Sequence, residues 1–252
     1  MLKPQKKPRP VLAIIMLALF VLVPFLPALL GGPSLLITWG LELIVVFGQF
    51  FVLGTTYDGC WFGLLVDGRN KISLSRLQMT LWTILFMSSL FVIYVWNLGH
   101  ANPLSGGLDF TVPQTIWILM GMAGVATAAG PLILSAKPDV APPAAAAAAP
   151  PPESGKFVDG VVVKRDENIK PEWSDLVLGD DAGNGQAIDL TKVQQLLLTF
   201  VAVGAYGFFI ARAMVGSTGV IASLPEFSTG FLTLIGAGHA SYLAYKAVPH
   251  TN

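Results

Sequence analysis

The chain has 252 residues, 54% of them hydrophobic and 12% charged, with a mean hydropathy of +0.66. A soluble domain carries about twice that charge, so the composition excludes an ordinary water-soluble protein and points to the membrane. The 15 Lys+Arg balance the 15 Asp+Glu, leaving no charge excess to attract nucleic acid. The single cysteine, Cys60, can form neither an intrachain disulfide nor a cysteine-based metal site, and it reads as a small buried apolar residue.

The chain opens with Lys3, Lys6, Lys7 and Arg9, then runs into an apolar stretch from residue 11 to about residue 30. At about 20 residues this stretch can cross the roughly 30 Å hydrocarbon core, and it reads as an uncleaved first span rather than a removed signal peptide. Gly31, Gly32 and Pro33 predict a tight turn. A second span follows from 34 to about 54, carrying Glu42 and Gln49, so residues 1–56 form an N-terminal transmembrane hairpin.

Asp67, Gly68, Arg69, Asn70 and Lys71 predict a turn. The next stretch, 72–83 (ISLSRLQMTLWT), recurs as 188–199 (IDLTKVQQLLLT) at an offset of 116, without a gap. Ile72, Leu74, Gln78, Leu81 and Thr83 are identical to Ile188, Leu190, Gln194, Leu197 and Thr199. Each copy leads into an apolar run, a polar turn with a proline and a second apolar run, the pattern of a duplicated membrane hairpin. Residues 57–136 make the first such repeat. Ser75 with Gln78, and Thr191 with Gln194, have capping-box spacing. The hydroxyl would accept from the N3 amide while the Gln returns to the cap N–H; the alternative for either Gln is a bond between helices.

The third span runs from 75 to about 98, and a polar turn with Asn102, Pro103, Gly106, Gly107 and Asp109 follows. The fourth span, 114 to about 135, has Gly124/Ala128 and Ala126/Gly130 at four-residue spacing, a pattern that lets helices approach closely in lipid. Residues 137–155, with PPAAAAAAPPP, form a Pro/Ala-rich cytoplasmic linker with no core of its own.

Residues 156–252 combine a cytoplasmic segment with the second repeat. Alternation around Asp159-Gly160 predicts a small hairpin, and Trp173 suits the headgroup level, which lays the segment on the membrane surface. Asp180, Asn184 and Gly185 invite a calcium-loop reading, but Ala182 and Thr191 occupy its third and twelfth positions, so a plain turn is preferred. The fifth span runs from 191 to about 215. A turn with Pro225 and Glu226 leads to the sixth, from about 227 to 248, where Leu234-Ile235-Gly236 echoes Leu119-Met120-Gly121.

If Met1 is cytoplasmic, six spans return the C-terminus to the same side. Every Lys and Arg except Arg212 then falls on an inner segment, as the positive-inside rule requires. The macrodipole disfavours Arg76 and Lys192 in a first helical turn, but anionic lipid headgroups can outweigh it, so both read as lipid anchors. Glu42 and Arg212 lie at similar depth below the outer surface and are expected to pair. His239 has no second His, Cys or carboxylate at i+3 or i+4, so a helix–helix hydrogen bond is preferred to metal or haem; Gln49 is expected to bond a neighbouring span. No P-loop, GxSxG, HExxH, CxxC or dinucleotide pattern is present, and neither an enzymatic activity nor a cofactor is expected.

The run 69–83 (RNKISLSRLQMTLWT), with a looser match at Trp173-Ser174-Asp175-Leu176 and 188–194, resembles a signature of an uncharacterised family of bacterial integral membrane proteins. The resemblance implies a bacterial inner-membrane origin and no known activity. The expectation is therefore an all-α membrane protein of six transmembrane helices: an N-terminal hairpin plus two tandem two-helix repeats in the same orientation. Its expected role is that of a non-enzymatic anchor or structural subunit, in contact with the lipid bilayer and with other subunits or copies of itself. The alternative is an oligomeric channel lined by Gln49, Thr83, Thr199 and His239. A carrier for a charged solute ranks third.

Overall fold

The computed structural model describes residues 10–30, 34–57, 60–101, 109–137, 139 and 155–251. The turns expected at 31–33 and 102–108 and most of the Pro/Ala linker lie outside them. The chain is mostly helical, and among the described residues five helical segments are long and apolar enough to cross a membrane: Val11–Leu29, Leu35–Thr55, Leu74–His100, Gln114–Ser135 and Leu190–Met214.

The first is interrupted. α1 (Pro10–Leu22) passes through a 3-10 turn, Val23–Phe25, into the short α2 (Leu26–Leu30). Pro24 and Pro27 supply no backbone N–H there, and the regular hydrogen-bond ladder cannot run through them. α3 (Leu35–Tyr57) packs on α1 and on α4 (Leu74–His100). α4 continues to α5 (Gln114–Ser135), and α6 (Leu190–Met214) to α7 (Thr229–Ala247). These two hairpins lie side by side, α4 against α6 and α5 against α7. α7 is not among the five apolar spans, since His239, Lys246 and its Gly and Thr residues dilute it.

Packing sorts the side chains by environment. Trp82, Phe86, Tyr206 and Phe227 form an aromatic centre, with Trp82 and Phe86 stacked at 5.2 Å and Tyr206 and Phe227 at 4.6 Å between ring centroids. Ile44 and Phe47 on α3, Val125 and Leu132 on α5, and Phe200 and Phe208 on α6 point outward and are exposed. So many outward apolar side chains would be a liability in water and cost nothing against acyl chains. On α5 the buried small residues are Ala123, Ala126 and Gly130. The expected Gly124/Ala128 line is not the packing face, because Ala128 is exposed and Gly124 half-buried. Cys60, expected in the interior, is half-buried.

Between the hairpins sits a small polar unit. Strands β1 (Lys156–Asp159) and β2 (Val162–Arg165) pair antiparallel, with Asp159 opposite Val162. Gly160 (φ +58°) at the first turn position gives the type II′ geometry that suits strand twist. The outer edge of β2 is also used: Val163 N donates to Asp180 O at 2.9 Å, and Ala182 N to Val161 O at 2.7 Å.

The approaches to α4 and α6 have like geometry. Val66 bridges Ile72 and Leu178 bridges Ile188, while Ser73 N donates to Leu65 O and Asp189 N to Val177 O, both at 2.8 Å. Asn70 takes the left-handed conformation (φ +57°) in the first of these turns. Its side-chain nitrogen donates to Asp166 O and Ile169 O, both at 2.7 Å, tying the turn to the polar unit.

Candidate functional site: a buried charge cluster

Both hairpins end on one carboxylate. Asp180 accepts from Arg69 Nη1 at 2.8 Å and Lys192 Nζ at 2.9 Å, and pairs with Lys246 Nζ at 3.2 Å and Lys71 Nζ at 3.9 Å. The four cations come from the turn before α4, the first turn of α6 and the last turn of α7, and all are buried. Asp181, beside it, takes Lys137 from the end of α5 at 2.6 Å and His250 Nδ1 from the C-terminal tail at 3.1 Å. Arg165 on β2 makes a fork to both oxygens of Asp175, at 3.0 and 3.1 Å, and reaches Glu172 at 3.0 Å. Asp175 also accepts from the backbone N–H of Ile72 at 3.3 Å, on the residue where the repeated stretch begins.

The local balance is positive. Arg69, Lys71, Lys192 and Lys246 face Asp180, and only Arg69 has a second partner, Asp67 at 2.7 Å. Burial alone would raise the Asp180 pKa, but Arg69, Lys192, Lys246 and Lys71 outweigh it and hold the carboxyl well below its usual range. Burial likewise works against the Arg69 charge, and Asp180 and Asp67 overcome it, so the guanidinium stays charged. Lys71 goes the other way. Burial, reinforced by Arg69 and Lys192 and only partly offset by Asp180, pushes its pKa down to about 8.

Every amine in the cluster is also held by neutral groups. Lys71 Nζ donates to Gly179 O at 3.1 Å, Lys192 Nζ to Leu178 O at 2.5 Å, and Lys137 Nζ to Val248 O at 3.0 Å. Lys246 Nζ lies 3.1 Å from Tyr242 Oη. Partners on every amine make these buried cations tolerable, while Asp181 Oδ1 and Arg165 Nε are left buried without one. At the other end of the bundle the ties are neutral: Asn97 exchanges two bonds with the Ile221 backbone (2.7 and 2.9 Å), and Tyr206 Oη donates to Pro225 O at 2.9 Å. Among the described residues there is no ion pair at that end.

A polar tract runs inward from the cluster. Gln78 Nε2 on α4 donates to Thr199 Oγ1 on α6 at 2.7 Å, and Thr199 Oγ1 donates to Gln195 O at 2.7 Å. Gln195 Nε2 donates to His239 Nδ1 on α7 at 2.7 Å. Gly238 permits that approach, since a Cβ there would stand 2.6 Å from Gln195 Oε1. The expected helix–helix bond of His239 is this one, and Gln49 Nε2 bonds Met16 O on α1 at 3.2 Å.

Three expectations are corrected by this geometry. Ser75, Gln78, Thr191 and Gln194 do not form capping boxes. The caps are Ser73 and Asp189, and Asp189 accepts from the backbone of Thr191 at 2.9 Å and of Lys192 at 3.3 Å. Gln78 is buried between helices and Gln194 exposed, because the helices start one residue after those caps and Ser75 and Thr191 are already inside them. Lys192 is no lipid anchor, since its amine is buried against Asp180; the same expectation for Arg76 is not overturned, because among the described residues only its Nη1 is engaged, by the backbone of Val66 at 2.7 Å and of Leu64 at 3.4 Å. Glu42 and Arg212 are not brought together: Arg212 is exposed, while Glu42 is fully buried with both oxygens unpartnered. Equal depth fixed their height but not their azimuth.

From the sequence, Asp180 is weighed only as part of a calcium loop, and Asp180, Asp181 and Asp175 are not matched to the cations they hold. A usable signal was present: Arg69, Lys71, Lys137, Lys192 and Lys246 all fall at the ends of apolar runs, where a cation needs an anion, and Asp180-Asp181 is an acidic doublet on the same side. No known protein family, curated protein or solved structure matches the chain.

Proposed function

We propose that the chain is a six-span bacterial inner-membrane protein without enzymatic activity, serving as an anchor or structural subunit that displays the polar unit of residues 155–189 on its cytoplasmic face. One observation carries this reading: every cation of the cluster is held by the chain's own carboxylates and carbonyls. Arg69, Lys71, Lys137, Lys192 and Lys246 meet Asp180 and Asp181 at one end of the bundle. These ties clamp a surface segment to helix ends, which suits a rigid display platform better than a site for turnover. α7 supplies the sixth span, because it packs beside α5 and α6 and its Lys246 returns to the same carboxylate as Lys192 at the start of α6. The cation-rich end faces the cytoplasm by the positive-inside rule.

The test is purification in mild detergent. An anchor brings down a partner at fixed stoichiometry, and substitution of exposed residues of the platform, such as Phe157 or Lys170, releases it while the membrane part stays intact. A second reading, an oligomeric pore, draws on the Gln78–Thr199–Gln195–His239 tract, in which Gln78 Oε1 and Gln195 Oε1 have no partner. Discrete conductance in planar bilayers, abolished by Gln195→Leu, would favour the pore and end the anchor reading.

A further inference from the structure

A groove opens between α3, residues 61–65 and α4, lined by Phe47, Phe50, Phe51, Trp61, Leu64 and Thr80 and enclosing about 50 Å³. Its wall is almost wholly apolar. Phe47 and Phe51 in that wall are also exposed, so the groove is open on the outer surface of α3. Around its rim Phe51 stacks on Trp61 at 6.2 Å, and Trp61 packs on Trp173 at 5.6 Å, with both indoles about half exposed. Indoles of this kind sit where acyl chains give way to headgroups.

Arg76 stands at the same end. It lies four residues before Thr80 on α4, hence about 6 Å nearer the charged end, one turn along the same face. Nη1 is fixed by Val66 O and by Leu64 O, the carbonyl of a residue that lines the groove. Among the described residues Arg76 makes no ion pair, and its Nε and Nη2 make no hydrogen bond. Arg69 and Arg165, by contrast, are both forked onto carboxylates. A half-buried, oriented guanidinium with donors to spare is suited to a phosphate oxygen pair.

We propose that this groove is a site for one anionic phospholipid, whose acyl chain lies along Phe47, Phe51 and Thr80 and whose phosphate is held by Arg76. The inference rests on the membrane-spanning reading above. It adds that the contact is specific: one lipid, one face, one headgroup charge. The bulk bilayer is the source of the ligand, and the apolar groove gives a free phosphate nothing to fill it with.

The experiment uses the full chain in nanodiscs of neutral phosphatidylcholine doped with phosphatidylglycerol. Bromine is placed on the acyl chain of one lipid or the other, and tryptophan quenching is read. The expected result is at least threefold stronger quenching by brominated phosphatidylglycerol than by brominated phosphatidylcholine at equal mole fraction. Most of that difference should disappear in Trp61→Phe. Arg76→Gln should equalise the two lipids, and Thr80→Phe, which fills the groove and leaves Arg76 in place, should weaken quenching by both. Equal quenching by the two lipids in the wild-type protein overturns the proposal without reference to any variant. So does an undiminished anionic preference in Arg76→Gln, or a dimer whose Trp61 neither lipid quenches because a second copy fills the groove. Resistance to alkaline carbonate extraction is scored separately: a chain that stays in the membrane and shows no lipid preference defeats this inference alone, and a chain that is extracted defeats the spanning reading.

Discussion

Replacing Asp180 by Asn changes one atom's identity and removes the anion on which Arg69, Lys192, Lys246 and Lys71 converge at 2.8, 2.9, 3.2 and 3.9 Å. Arg69 keeps Asp67; the three lysines keep only neutral partners. Stranding one buried charge by deleting its partner costs about 3–5 kcal/mol. The three lysines are at most 5% exposed, so solvent screens them little, and part of the strain is relieved by Lys71 releasing its proton. The expected loss is therefore about 3–5 kcal/mol rather than a multiple of it, still a large share of the roughly 5–15 kcal/mol that holds a typical domain together. Two readouts check this: the midpoint of thermal unfolding of the detergent-solubilised protein, and limited proteolysis of residues 155–189. Asp180→Asn should lower the midpoint and expose that segment to cleavage. Asp180→Asn/Lys71→Met should recover part of the loss, because one stranded cation is gone. A single variant with wild-type midpoint and protection would refute the clamp.

Lys71 gives the pH dependence its sign. Its pKa falls from the ordinary lysine value of 10.5 to about 8 in the folded chain. Between those values the unfolded state binds the extra proton, so the stability of wild type relative to Lys71→Met should rise with pH from about 8 to 10.5, by up to roughly 3 kcal/mol at 1.4 kcal/mol per unit; denaturation midpoints at pH 7 and pH 10 measure it, and a difference that shrinks contradicts the assignment. The Asp180 carboxyl lies below its ordinary pKa, so its contribution should persist at pH 5 and begin to fail only below pH 4, which tryptophan emission under acid titration can follow. Gln78→Leu and Thr199→Val remove the two ends of one interhelical bond; each should cost about 0.6–1.7 kcal/mol alone, with the pair less than additive in a double-mutant cycle. For Glu42 and Arg212 the same cycle should return a coupling near zero, and Glu42→Gln should leave stability within about 1 kcal/mol, since the carboxyl has no partner to lose.

The helical runs were legible because hydropathy and length alone specify a span, and the 116-residue offset placed the starts of α4 at Leu74 and α6 at Leu190 in the same relation. The hairpin at Asp159-Gly160 was legible from its turn residues, and the bonding of Gln49 and His239 to neighbouring helices from the cost of a polar group in lipid. The cluster was not, because Asp180 meets Arg69 across 111 positions of sequence, and only tertiary packing brings such groups together. The capping boxes failed for a local reason. The bridges at Val66–Ile72 and Leu178–Ile188 end the extended approach one residue before Ser73 and Asp189, so those residues become the caps and the later hydroxyls fall inside the helix. The cations at the cluster end also carry two meanings at once. Arg69, Lys71, Lys137, Lys192 and Lys246 set the orientation signal by their number, yet in the folded chain their charge is spent on carboxylates, not lipid headgroups.

The central claim is that the α4–α5 and α6–α7 hairpins enter the bilayer the same way up, with the cluster end inside the cell. Replacing Cys60 by Ala and placing a single cysteine at Lys170, on the polar unit, or at Thr218, in the turn after α6, tests this in intact bacterial cells with a membrane-impermeant maleimide. The account predicts labelling at 218 from outside and at 170 only after the membrane is opened; labelling of both positions from the same side would contradict it.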